Sequence, residues 1–286
     1  MTSVAFGSFD ITTGSVVDTT GTMNISCTGM ASTMPYEFCI NMELGSAFSG
    51  STRRLSTGAS TLDYQLYSDA GLTSPWGSYI SGLNGGGVKV TVNSSGTNLS
   101  FSKTVYGRIF GSQTTARAGS YSSSFTASPF ITFDESPAAG SGCLGSSKTF
   151  QTTFSATATV LASCSVSTSS VNFGSISSLG SNVDGTGSLT VLCTNVSPYN
   201  VGLSAGNGTG ATVAARKMIS GSNTVTYSLY SNIGRTTVWG NTIGTDTVTG
   251  TGTGSNQSLT VYGRVPVQST PVGATYTDTV IVTVTF

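Results

Sequence analysis

Five cysteines, Cys27, Cys39, Cys143, Cys164 and Cys193, are the side chains here best suited to chemistry, and their options are narrow. None sits in a Cys-x-x-Cys pair and the chain has no histidine. Neither a zinc-ligand set nor a Ser-His or Cys-His nucleophile pair can be assembled. That leaves pairing between cysteines. Cys164 and Cys193 are 29 residues apart and flank the first strand and hairpin of the second half of the chain. A disulfide closing a loop of that size contributes roughly 3–4 kcal/mol through the unfolded state. Cys39 and Cys143 either bridge the first half to the segment joining the two halves or remain buried free thiols. Bridges of this kind point to an oxidising periplasmic or surface compartment. No metal and no cofactor are expected.

The acids offer no alternative chemistry. They are scattered, as at Asp10, Glu37, Glu43, Asp63, Asp69 and Asp278, with no spacing that holds two carboxylates at a fixed short separation. The chain therefore reads as a non-enzyme. Its 11 Lys and Arg balance 11 Asp and Glu, and the only basic doublets are Arg53-Arg54 and Arg216-Lys217. Phosphate contacts need clustered cations, so nucleic acid is excluded as a partner. No apolar run approaches the roughly 20 residues that a bilayer requires.

The elements that must carry these residues are short and repeat once. TVYGR at 104–108 recurs at 260–264. Around it, VAFG at 4–7 answers VNFG at 171–174, and ISCTG at 25–29 answers VLCTN at 191–195. PYEFCINMELG at 35–45 answers PYNVGLSAG at 198–206, and LDYQLYSDAGLTSPWG at 62–77 answers VTYSLYSNIGRTTVWG at 225–240. RAGSY at 117–121 answers PVGATY at 271–276. Two copies at this spacing mean two homologous domains rather than a solenoid. Within each, apolar residues alternate with period two between Gly, Ser, Asn and Pro turns, the pattern of an all-β sandwich. Domain one is expected over 1–134, a linker over 135–148 and domain two over 149–286. The stretch 149–163 is the most regular strand of all: Phe150, Phe154, Ala156, Ala158 and Val160 share one parity. Cys27 is the counterpart of Cys193, so its partner would fall upstream of Met1. The first strand of domain one is accordingly expected to be truncated, together with any signal peptide.

The set C…VNFG…GSLTVLCT…PYNVGLSAG…YSLYS…WG…VYGRVP…GATYTDTVIVTVTF in domain two resembles the spore coat protein U domain family, which includes the pilins of archaic chaperone–usher pili. Domain one keeps VAFG, ISCT, PYEF, YQLYSD, WG and VYGR but ends in SSSFTASPFITF, with Pro129 in its final strand. The resemblance implies two tandem immunoglobulin-like β-sandwiches, the second lacking one strand, each groove being filled by β-strand addition. It makes 149–163 a donor strand able to complete domain one in cis. It makes Gly273, Val280, Val282, Val284 and Phe286 the contact strand for a periplasmic pilus chaperone or an adjacent pilin subunit. The implied protein is a tip adhesin, exported through the periplasm and an outer-membrane usher to the pilus tip, where it attaches to abiotic or host surfaces and supports biofilm formation.

Where the copies differ, adhesive contacts are expected. Domain one has a longer loop after Cys27, with Met30 and Met34, and carries Tyr79, Ile80 and Leu83 after Trp76, where domain two has mostly Thr and Gly. Exposed apolar loops bind surfaces by area burial. The same side chains could instead serve packing. Two other readings stand beside the adhesin: a shaft or coat protein without a ligand, and a lectin using Asp69 near Trp76.

Overall fold

Thr, Val and Ser at alternating positions build strands, and the computed structural model, which describes residues 3–30, 35–126, 130–134 and 148–286, contains no α-helix among them. The chain divides into two compact units, Met1–Leu161 and Ala162–Phe286. Unit 1 begins with β1 (Val4–Phe9), β2 (Val17–Thr28), β3 (Pro35–Asn41), β4 (Phe48–Ser49), β5 (Thr52–Ser56) and β6 (Thr61–Tyr67). It continues with β7 (Val88–Asn93), β8 (Asn98–Ile109), β9 (Gly119–Phe125), β10 (Phe130–Asp134), β11 (Lys148–Gln151) and β12 (Phe154–Val160). One sheet runs β1-β12-β9-β5-β6-β8-β2, with β4 paired to β5, and the other runs β11-β10-β3-β7.

Unit 2 holds β13 (Cys164–Thr168), β14 (Val183–Cys193), β15 (Pro198–Leu203), β16 (Arg216–Ser220), β17 (Asn223–Tyr230), β18 (Val248–Thr251), β19 (Gln257–Val265) and β20 (Val282–Thr285). Its sheets run β13-β14-β19-β17-β16 and β18-β15-β20. Each unit is a sandwich around its own apolar core. Cys164 and Cys193 are joined by a disulfide across the β13–β14 ladder. Cys39 is also disulfide-bonded, whereas Cys143 lies outside the described residues. Cys27, paired across strands with Leu99, is a half-buried free thiol that burial pushes above its usual range.

The repeated pentapeptide is explained by what touches it. Val105 and Val261 are buried in the two cores, and Arg108 and Arg264 pair on the outer face with Asp18 and Asp184. The glycine between them is the tightest requirement. A Cβ on Gly107 would stand 2.9 Å from the Phe6 ring, and one on Gly263 2.8 Å from both Phe173 and Val171. The VAFG and VNFG segments thus lie directly on TVYGR, and each motif needs the other.

Four further devices are duplicated. Arg53 and Arg216, counterparts in the two basic doublets, are fully buried, which their charge alone would not suggest. Arg53 Nε donates to Glu43 O at 2.8 Å, and Nη2 donates to Met42 O and Trp76 O at 2.7 and 2.8 Å. Arg216 repeats this with Ser204 O, Leu203 O and Trp239 O. Burial pulls Arg53 down to about 10, still charged at neutral pH. The guanidinium collects carbonyls where the chain leaves one sheet for the other and gives each of these a donor. Trp76 and Trp239 donate their indole N–H to Ile40 O and Val201 O. Tyr121 and Tyr276 close tyrosine corners on Arg117 O and Val272 O. Gln113 and Gln268 clamp the backbone of Asp63 and Thr226 through both ends of their amides.

Arg216→Met is expected to lower the stability of unit 2 by roughly 3–5 kcal/mol, since it leaves buried carbonyls unpartnered. Arg264→Met, at an exposed ion pair, is expected to cost less than about 1 kcal/mol. Urea unfolding followed by Trp239 fluorescence in a Trp76→Phe background compares the two.

Candidate functional site

A period-two strand can bury one row of side chains while its backbone pairs on both edges, and β12 does so. It runs parallel to β1, with Val4 opposite Ala156, and antiparallel to β9, with Phe154, Ala156 and Ala158 opposite Phe125, Ser123 and Tyr121. Phe154, Ala156, Ala158 and Val160 are buried, whereas Ser155, Thr157 and Thr159 are half-buried on the other face. Ala156 stands opposite Val4 and Ser123, and Ala158 opposite Tyr121, and both alanines are buried. Phe154 stacks on Phe125 with centroids 4.1 Å apart and planes within 10°.

Phe150 departs from the expected row: it is 50 % exposed. The reason is topological. β11 pairs with β10 in one sheet, the chain breaks at 152–153, and β12 joins the other sheet, so equal parity does not mean a shared face.

Unit 2 carries the same walls without the same cover. Val171 and Phe173 are the counterparts of Val4 and Phe6, and Tyr276 and Val280 those of Tyr121 and Phe125. Val4, Phe6, Tyr121 and Phe125 are all buried, whereas Val171, Phe173, Tyr276 and Val280 are only half-buried against the core. Among the described residues no strand lies between 171–174 and 276–281, and 171–174, unlike β1, forms no ladder. β20 pairs with β15 on one side alone, whereas its counterpart β10 is flanked by both β3 and β11. Unit 2 thus presents a strand edge paired on one side only, beside an apolar core with partly buried walls. Sequence reasoning singled out neither Val171, Phe173 nor Tyr276, although VNFG and GATY held them in plain view as repeat partners.

The residues expected in the contact strand divide. Val282 and Val284 lie in β20 and half-bury toward the core, as does Val280 just before it. Gly273 is exposed and outside any strand, because it sits in the corner closed by Tyr276. Phe286 follows the strand and is 55 % exposed.

The candidate adhesive residues fall in different surroundings. Met30 is 8 % exposed, a packing residue of the core whose N–H donates to Thr97 O, so it is no surface contact. Met34 lies outside the described residues. Tyr79 and Leu83 are half-buried and Ile80 is 51 % exposed, in a turn tied by the Ser78 N–H to Leu83 O. Pro35 pairs with Asn93 and Ile40 with Val88, so the Pro35 end of β3 and the end next to this turn lie opposite one another. About 17 Å of strand separates them.

The lectin arrangement is also absent. Trp76 is 1 % exposed and offers no platform. Asp69 is committed to its own turn, where the Ser74 and Thr73 N–H groups hold its carboxyl below the usual range. Among the described residues no cluster of His, Cys, Asp or Glu could hold a metal.

The family profile described as the spore coat protein U domain matches residues 1–128 and again 150–283. "Protein U" of Myxococcus xanthus is 38 % identical over 128 residues, 41 % of this chain and 71 % of that protein. Among solved structures, the chaperone–tip adhesion subunit pre-assembly complex (CsuC-CsuE) from the archaic chaperone-usher Csu pili of Acinetobacter baumannii aligns over 100 % of this chain and 99 % of the other. The TM-score is 0.55 at 17 % identity, a likeness of fold. The second family match opens at residue 150, while the first compact unit extends to Leu161. β12 therefore belongs to the second copy by sequence and to the first unit by packing.

Ala156→Asp should place a charge at a fully buried position and cost unit 1 roughly 3–5 kcal/mol. With Trp76 and Trp239 as separate fluorescent reporters, only the Trp76 transition is expected to move.

Proposed function

The chain belongs to the spore coat protein U domain family, and from that premise we propose that it is the tip subunit of a chaperone–usher pilus, attaching the fibre to surfaces and supporting biofilm formation. Family members are coat and pilus proteins rather than enzymes. One observation carries the reading: the two copies share their walls, yet the row buried under β12 in unit 1 is left half-buried in unit 2. On this reading β12 is a donor strand acting in cis, which completes unit 1 and is thereby committed to its own chain. Unit 2 accepts the strand of the adjacent subunit, and before assembly that of a periplasmic chaperone, on its way through an outer-membrane usher. A donor strand spent within its own chain is not available to a neighbouring subunit, which suits the end of a fibre.

The adhesive contacts are assigned to unit 1, at the turn bearing Tyr79, Ile80 and Leu83, with Met34 as a further candidate. Ile80 contributes by area burial on an apolar surface, at about 25 cal/mol per Å². A second reading, a coat protein without a ligand, is favoured by the likeness to Protein U. It requires no surface binding by unit 1.

Thermal melting of the purified chain, alone and with a donor-strand peptide from a sister pilin, tests the fibre role. The tip reading expects a rise of many degrees and near-irreversible binding. A stable monomer with no shift would instead mean a free-standing surface protein. For adhesion, Ile80→Ser with Leu83→Ser should reduce adsorption to polystyrene while leaving the melting temperature within about 2 °C; unchanged adsorption favours the coat protein.

A further inference from the structure

We propose that the groove of unit 2 is tuned to a strand from a different protein, one that presents a small hydroxyl side chain opposite Asp278, and that Asp278 with Val280 discriminates against this chain's own β12. The inference deepens the strand-accepting reading of unit 2 and rests on it.

The two grooves can be compared position by position because their surroundings match. Ser122 bridges to Ser56 as Thr277 bridges to Ile219, and the tyrosine corners fix the same register. Ser123 of unit 1 therefore corresponds to Asp278 of unit 2, and Phe125 to Val280. Each faces an equivalent glycine: a Cβ on Gly45 would meet Ser123 Oγ, and one on Gly206 would meet the Asp278 carboxylate. In unit 1, Ser123 sits opposite Ala156 and Phe125 opposite Phe154.

Both substitutions change what a strand would meet. A strand laid along unit 2 in the same register brings its Ala156 equivalent against a carboxylate. Asp278 Oδ1 accepts the N–H groups of Asn207 and Thr279, both at 2.8 Å, and Oδ2 accepts Tyr227 Oη at 2.7 Å. A carboxylate offers about four acceptor sites, so one on Oδ2 is left to water. Covering it with alanine strands that acceptor, whereas a serine or threonine hydroxyl fills it. The donors Tyr227, Asn207 and Thr279 already hold the carboxylate in place, so it does not swing away. At the next inward position the stack of Phe154 on Phe125 has no equivalent, since Val280 presents no ring. The own strand thus loses a ring contact and gains an unsatisfied acceptor. A foreign strand with a hydroxyl avoids the second penalty, and discrimination of this kind prevents copies of the chain from threading into one another.

The test uses the full chain and two labelled peptides spanning residues 148–163, one native and one with Ala156→Ser. Affinity is read by fluorescence anisotropy, and amide exchange over 171–174 and 276–285 locates the peptide. The serine peptide is expected to bind about tenfold more tightly, and this preference should vanish in Asp278→Ser and Asp278→Ala chains. Equal affinities in the unaltered chain, a comparison that needs no variant, overturn the proposal while leaving strand acceptance intact. A serine preference that survives both substitutions does the same. No binding of either peptide, with unchanged exchange, overturns strand acceptance itself and this inference with it.

Discussion

A β-sheet edge over an apolar core must be covered, because its N–H and C=O groups and the side chains beneath them cannot both be satisfied by water. Unit 1 meets that demand with seven residues, Phe154–Val160, that belong to the second family match. The strand pairs on both edges and buries four alternate side chains, two of them alanines. Everything distinctive about the molecule stems from one copy having this cover and the other lacking it. With β12 in place, VAFG becomes a strand; without an equivalent, VNFG lies over the same glycine as irregular chain.

The duplication also separates architecture from function. Residues that recur with the same partners are the buried arginines on their carbonyls, the tryptophan indoles, the tyrosine corners and the glutamine clamps. For all their chemical versatility, each of these is engaged by backbone. The informative positions are those where the surroundings match and the residue does not. Ser123 against Asp278 and Phe125 against Val280 are two such positions, and in unit 1 both face β12.

Much of this could be read from the sequence because it is local or duplicated. Period-two alternation over 149–163 is a short-range property, and so is the spacing of Cys164 and Cys193, which a disulfide joins. Properties that depend on which sheet a residue joins could not be read. Phe150 shares parity with Phe154 but not its sheet, and Met30 looks like an exposed loop residue until the loop folds back onto Thr97. The buried arginines were hidden by their charge, since a lone cation is ordinarily a surface residue. Their recurrence within both basic doublets was the available signal.

The placement of β12 has a mechanical consequence. Tension arriving along the chain at Leu161 pulls β12 along its own axis, with β1 parallel on one side and β9 antiparallel on the other. Such a pull loads the ladder hydrogen bonds together, in shear, instead of peeling them one at a time from an end. The segment that closes the core of unit 1 is therefore also its force-bearing attachment, and rupture requires the ladder and the four buried side chains to give way at once.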